Sequence, residues 1–128
     1  MRIGVIWTMG MVWWSVLASH ADAQDVANGA DVFKKCRVCH EVGPEAKNKI
    51  GPALRGLFGR KAGIADDFNY SEAMREAGTK GLGWSEEAVD KYLDNPRGFI
   101  PENKMAFPGV KDEADRKNVI AYLKSVSQ

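Results

Sequence analysis

With 128 residues the chain has room for one domain and a short appendage, which excludes a multidomain machine. Eighteen Lys and Arg against seventeen Asp and Glu leave a formal charge of +1, so there is no broad basic field with which to wrap nucleic acid. At 45% apolar and 27% charged residues the composition is globular, and two cysteines exclude a disulfide scaffold.

In chain order, residues 1–23 read as a cleaved signal peptide. Arg2 gives a positive start, Ile3 to Ala18 carries no charge, and Ala21-Asp22-Ala23 offers the small residues that a signal peptidase reads. Cleavage after Ala23 leaves a domain of residues 24–128 in an oxidising compartment, the periplasm, where free thiols need an occupation. The alternative is a retained anchor, although the uncharged run is short of the roughly 20 residues that span a bilayer. A first helix is expected from Asp25, as its cap, through Cys36, with Val26, Ala30 and Phe33 on one face. Residues 41–70 form a long loop with Pro44, Pro52 and five glycines, Gly43, Gly51, Gly56, Gly59 and Gly63. A loop of that length in a small domain is expected to wrap something. Ser71 caps a short helix to Ala77 that Gly78 stops, and Ser85 followed by Glu86 and Glu87 opens another that closes before Pro96. The last helix starts at Asp112, with Asp115 in its first turn, an apolar stripe of Val119, Ile120, Leu123 and Val126, and Lys124 near its negative end. No alternation of apolar and polar residues marks a strand, so the expected fold is all-α. Many of the apolar residues are alanine, which is thin for a core and points to something else filling it.

The chemistry lies in Cys36-Arg37-Val38-Cys39-His40. Cysteines three apart share one helical face, in reach of two vinyl groups on neighbouring pyrroles, and a histidine directly after them completes the pattern of c-type haem attachment. His40 would be the proximal iron ligand, its other ring N–H donating to a backbone carbonyl that fixes tautomer and ring angle. Rival uses of these residues are weaker. A thioredoxin-like dithiol wants a βαβ setting, and structural zinc wants four ligands where residues 24–128 hold two Cys and one His. A disulfide between Cys36 and Cys39 strains the bridge within a helical turn.

With that histidine engaged, the sixth iron position falls to Met105, Met74, a lysine, water or nothing. Met105 fits best, because it sits in a segment bracketed by Pro101 and Pro108 that can approach from the face opposite the first helix. Met74 lies inside a helical pattern, where a flexible gap-filler of the core is its expected role.

These residues, with Gly51-Pro52, Phe68-Asn69-Tyr70, Gly81-Leu82-Gly83-Trp84, Tyr92-Leu93-Asp94-Asn95-Pro96, Lys104-Met105-Ala106-Phe107 and Val119-Ile120-Ala121-Tyr122-Leu123-Lys124, resemble the class I c-type cytochromes, bacterial cytochrome c2 and mitochondrial cytochrome c among them. The resemblance implies one covalent haem c wrapped by a few helices, the first and last crossing near Gly29 and Tyr122. It further implies that the Pro52 carbonyl takes the His40 hydrogen bond, and that Arg60, Tyr70 and Trp84 satisfy the haem propionates. Tyr92 and Asn103 would hydrogen-bond near the Met105 sulfur, and Phe107 would cover the haem edge. Taken alone, Trp84 and Tyr92 would be packing and Arg60 a surface charge, but buried propionates need donors, and these side chains supply them. Asn103 stands where the mitochondrial pattern has Thr, and the stretch from Tyr70 to Trp84 resembles the longer bacterial form.

An iron with two protein ligands offers no open site to O₂ or peroxide, so one-electron transfer is the expected use, and the thioether is expected to raise the potential. The expected protein is a monomeric periplasmic carrier and no enzyme. The resemblance implies membrane redox complexes as partners, a quinol-cytochrome c reductase-type donor and an oxidase or photosynthetic reaction-centre acceptor. Readings from other classes are a small haem peroxidase or gas sensor whose Met105 detaches, and an anchored oxidase-associated domain. Lys34, Lys35, Lys47, Lys49, Lys104 and Lys111 fall in segments that flank the haem, whereas Glu86, Glu87, Asp90, Asp112, Glu113 and Asp115 crowd elsewhere. A dipole that steers the lysine side onto an acidic partner surface is expected.

Overall fold

The computed structural model of the protein describes residues 21–128, with side chains from Asp25 onward; residues 1–20, and with them most of the expected signal segment, lie outside the described residues. Five helices follow in order: α1 (Ala21–Phe33), α2 (Glu72–Thr79), α3 (Glu86–Asp94), α4 (Pro96–Phe99) and α5 (Glu113–Val126). The extended pairing seen among the described residues is a lone antiparallel bridge between Lys61 and Gly83. The fold is all-α.

Three helices open on the caps that the sequence offers. The Ser71 hydroxyl accepts from the Met74 N–H, the Ser85 hydroxyl from Ala88 and the Asp112 carboxylate from Asp115, each satisfying a donor that has no partner inside its helix. Helix α4 was not legible in advance, being too short to show a period. It is made by the Asn95 side chain, which accepts from the Gly98 N–H, and by Pro96 at its first position.

Two boundaries differ from expectation, each for a local reason. Within the described residues helix α1 spans Ala21 to Phe33, so it already includes the expected cap Asp25 and stops short of Cys36. Beyond Phe33 the chain keeps coiling as overlapping turns, with Cys36 N–H on the Phe33 carbonyl at 2.8 Å and His40 N–H on the Cys36 carbonyl at 2.9 Å. Coiling thus reaches His40 as turns that mix three- and four-residue bonds, not as a regular helix. Helix α2 runs through Gly78 to Thr79. A Cβ on Gly78 would lie 1.9 Å from the Ala62 carbonyl oxygen, so this glycine lets the helix lie against the long loop and does not stop it.

The packing centres on α1 against α5, with α3 beside α5 and α4. At the crossing, a Cβ on Gly29 would sit 1.9 Å from the Asn118 carbonyl oxygen and 2.7 Å from the Tyr122 Cβ. One turn on, the Phe33 and Tyr122 rings meet at 5.3 Å. The core that follows joins Val32, Phe33, Val119, Ile120 and Leu123 of this pair to Leu57, Tyr70, Met74, Trp84, Val89, Ile100 and Val110 from every other part of the domain. Among the described residues no helix is long and apolar enough to cross a membrane.

Candidate functional site

The turns after α1 bring Cys36, Cys39 and His40 onto one segment, and the following loop returns to zip against it. Gly51 N–H donates to the Cys39 carbonyl at 2.8 Å, Leu54 N–H to the Glu41 carbonyl at 2.9 Å, and the Lys49 ammonium to the Arg37 carbonyl at 2.9 Å. Within this zipper the His40 Nδ1 lies 2.7 Å from the Pro52 carbonyl oxygen. A carbonyl only accepts, so the proton sits on Nδ1 and the Nε2 lone pair is left for a metal. The ring is seated on the bare backbone of Gly51, whose Cβ would come within 2.5 Å of the His40 Cε1. Burial holds His40 below the ordinary imidazole range; the bond to Pro52 offsets part of this, and the positive charges of Arg60 and Lys49 reinforce it. The imidazole is neutral at pH 7, as a ligand has to be. Cys36 and Cys39 are half-buried and unpaired, and burial raises the Cys36 thiol despite the nearby Lys35.

A second wall is built from the long loop. Asn48 braces it, accepting from the Ala53 N–H and donating to the Asp66 carbonyl, both at 2.8 Å. The Arg60 guanidinium donates through Nη1 to the carbonyls of Ala53 at 3.0 Å and Arg55 at 2.9 Å, while its Nε is buried with no partner. An unpartnered buried donor is costly and marks a place for an anionic acceptor. Nearby, the Tyr70 hydroxyl oxygen accepts from the Ala65 N–H at 3.1 Å, which leaves its own hydrogen to give. Burial depresses Arg60, and Tyr70 opposes that shift; Tyr70 is raised, also by burial first. Trp84 is buried, and its ring meets that of Tyr92 at 5.1 Å. Two thiols, a neutral imidazole with a free lone pair and a wall holding an orphaned guanidinium donor fit a haem that bears carboxylates.

Met105 is half-exposed, on a loop fixed from within. The Asn103 amide group donates to the carbonyls of Pro96 at 2.9 Å and Ile100 at 2.8 Å, and its Oδ1 accepts from the Met105 N–H at 2.8 Å and, at 3.4 Å, from the Tyr92 hydroxyl. The Phe107 N–H returns to the Met105 carbonyl at 2.9 Å, and the half-buried Phe107 ring packs on the core. Burial pushes the Tyr92 phenol up to about 12, so it remains a donor at any physiological pH. Met74 is buried in the core.

The six lysines singled out in the sequence are all exposed, yet four also have partners inside the molecule. Lys34 pairs with Asp31 at 2.7 Å, Lys49 holds the Arg37 carbonyl, Lys104 donates to the Asn69 carbonyl at 2.8 Å, and Lys111 donates to the Asp94 carbonyl. Sequence reasoning missed Asn48, which has no motif to announce it. Among the described residues no group of three or more His, Cys, Asp and Glu is placed to hold a metal ion.

Residues 26–127 match the family model for cytochrome c. The chain is 50% identical to the cytochrome c2 of Blastochloris viridis over 104 residues, which is 81% of this chain and 80% of that protein. In three dimensions it is similar to cytochrome c2 from Rhodospirillum centenum, with a TM-score of 0.76 at 44% identity, covering 81% of this chain and 99% of that one. It is also similar to cytochrome cH from Methylobacterium extorquens, with a TM-score of 0.72 at 38% identity, covering 79% and 98%. With fold, motif and these likenesses in agreement, the chain belongs to the cytochrome c family, electron-transfer proteins with a covalent haem c rather than enzymes.

Proposed function

We propose that residues 24–128 form a soluble periplasmic carrier that shuttles single electrons between membrane redox complexes, with a quinol-oxidising donor and an oxidase or photosynthetic reaction centre as acceptor. In this reading Cys36 and Cys39 would hold the haem by thioethers, and His40 Nε2 and the Met105 sulfur would be the protein ligands of its iron. Arg60, Tyr70 and Trp84 donate to the propionates, and Phe107 shields the edge. The observation that carries it is His40, fixed in tautomer and angle by the Pro52 carbonyl and seated on Gly51. Haem c would supply the one-electron couple; the chain's part is to hold the His40 and Met105 side chains still, keep water from the buried face and leave little to reorganise when charge changes. Signal cleavage after Ala23 would fall in the first turn of α1.

Mass spectrometry of the exported protein tests this reading directly. The expected species starts at Gln24 and carries one haem, and free thiols at Cys36 and Cys39 would overturn the attachment. Docking through Lys34, Lys35, Lys47, Lys49, Lys104 and Lys111 is tested by rate. Association with an acidic partner complex is expected to slow steeply as salt passes about 0.1 M, where screening acts within roughly 10 Å. Lys47→Glu is a cleaner probe than Lys104→Glu, since Lys104 also ties Asn69 to the Met105 loop. It should lower the low-salt rate and lose that deficit at high salt; rates indifferent to both changes would mean apolar docking.

The seat under His40 makes a separate expectation. Gly51→Ala places a methyl where the ring now lies, so the imidazole has to tilt or the zipper has to open. Either outcome should shift the midpoint potential and lower the melting temperature of the haem-loaded protein, by about 1–3 kcal/mol in stability. An unchanged potential would show that the ring angle is set elsewhere.

A further inference from the structure

Arg116 takes no part in the site described above. It stands on α5, and its side chain is only 11% exposed, whereas the paired lysines Lys34, Lys80, Lys91, Lys117 and Lys124 are 52–79% exposed. Its guanidinium gathers two other segments. Nε donates to Asp90 Oδ1 at 2.9 Å, and Nη1 faces Asp94 Oδ1 at 3.3 Å and the carbonyls of Val110 and Lys111, both at 3.0 Å. Asp90 and Asp94 lie one turn apart on α3, while Val110 and Lys111 close the loop that carries Met105.

That loop end is fastened to α3 at several other points. The Val110 N–H donates to the Leu93 carbonyl at 2.7 Å, and Lys111 donates to the Asp94 carbonyl. Gly109, at φ +110°, passes so close that a Cβ would lie 2.6 Å from the Asp94 oxygen. The start of the loop is also fixed from α3, through Tyr92 and Asn103 to the Met105 N–H. Helix α3 is therefore the common support of both loop ends, and Arg116 ties that support and the far end of the loop to α5. A planar fork with several donors suits this task; a single ammonium cannot reach carboxylates and carbonyls on two segments at once.

We propose that Arg116 is a positioning residue for the sixth iron ligand: by clamping the Val110 and Lys111 carbonyls to α3 it sets how often Met105 leaves the iron, and so how fast an outside ligand enters. This rests on Met105 being that ligand, as proposed above. It gives the domain a device, remote from the ligands themselves, that keeps an electron carrier from acquiring an open iron site.

The test mixes the oxidised, haem-loaded protein with imidazole and follows the Met-to-iron charge-transfer band at the red end of the spectrum. Capture of imidazole, limited by opening of the loop, is expected to quicken about tenfold or more in Arg116→Ala, because charge-assisted hydrogen bonds are lost. Arg116→Lys should recover part of the slowness. Leu123→Val, a core substitution on α5 that leaves every hydrogen bond of Arg116 in place, should leave the rate near that of the parent at a comparable loss in melting temperature. Should Arg116→Ala fail to fold, Asp94→Asn takes the charge from one arm of the clamp while leaving an acceptor oxygen, and is expected to quicken capture a few-fold. Rates in Arg116→Ala or Asp94→Asn no faster than in Leu123→Val would overturn the role of Arg116. Met105→Ala separates the two readings: if it loses the band while Arg116→Ala keeps the parent rate, the clamp alone fails. A band that survives Met105→Ala overturns the ligation, and the clamp with it.

Discussion

Replacing Met105 with alanine is expected to lower the midpoint potential by a few tenths of a volt, within the span of about 0.8 V that axial ligation commands. The thioether favours the ferrous iron, so its loss stabilises the oxidised form. The same substitution should abolish the Met-to-iron charge-transfer band and admit cyanide or imidazole without a slow step. The loop itself should survive, because Asn103 holds it by backbone bonds to Pro96, Ile100 and Met105 that do not involve the sulfur. Met74→Ala is the matched control. Its side chain is buried among core residues, so it should cost about 2–5 kcal/mol of stability and leave spectrum and potential unchanged. Redox titration of both variants decides the matter, and the opposite pattern would reassign the ligand to Met74.

Gly29→Val should have the largest effect on folding. Its Cβ would lie 1.9 Å from the Asn118 carbonyl oxygen, which is backbone and has no rotamer to yield. The helices would have to separate, and the Phe33 and Tyr122 rings packed one turn away would lose contact. Overpacking typically costs about 1–3 kcal/mol and sometimes more, and this site lies at the upper end. For a domain this small, about 3 kcal/mol corresponds to a fall of roughly 10–20 °C in melting temperature. Gly29→Ala should show most of that fall, since the clash begins at the first carbon. Thermal unfolding followed by far-ultraviolet circular dichroism checks this, and a valine variant that melts with the parent would mean the helices can cross elsewhere.

The caps at Ser71, Ser85 and Asp112 and the apolar stripe of α5 were legible because each is a local signal, decided within one or two turns. So was the attachment motif, five consecutive residues whose spacing is itself the chemistry. The role of Gly78 was not, because a glycine that ends a helix and one that admits a neighbouring carbonyl look alike until the neighbour, Ala62, is known. Helix α4 escaped for a different reason: one side chain, Asn95, and one proline make it, and four residues carry no period. The lysines were legible as exposed charge, whereas the attachment of Lys104 to the Asn69 carbonyl, 35 positions away, was not. Arg116 is the strongest instance. Its partners lie on α3 and on the Met105 loop, and nothing within a turn of it tells a half-buried clamp from a surface pair.

The crossing of α1 and α5 also bears on the order in which the molecule is made. As far as it is described, helix α1 has 13 residues, marginal alone in water, and its principal partner, α5, comes last in chain order among the described helices. Joining them closes a loop that spans nearly the whole domain, an entropic cost that no local contact repays early. Cys36 and Cys39 follow closely on α1, so until α1 and α5 join they lie beside a helix without its main partner, open to whatever attaches the haem. The crossing closes behind them only when α5 packs on α1, so a cofactor joined by two covalent bonds has in this topology a natural interval before burial.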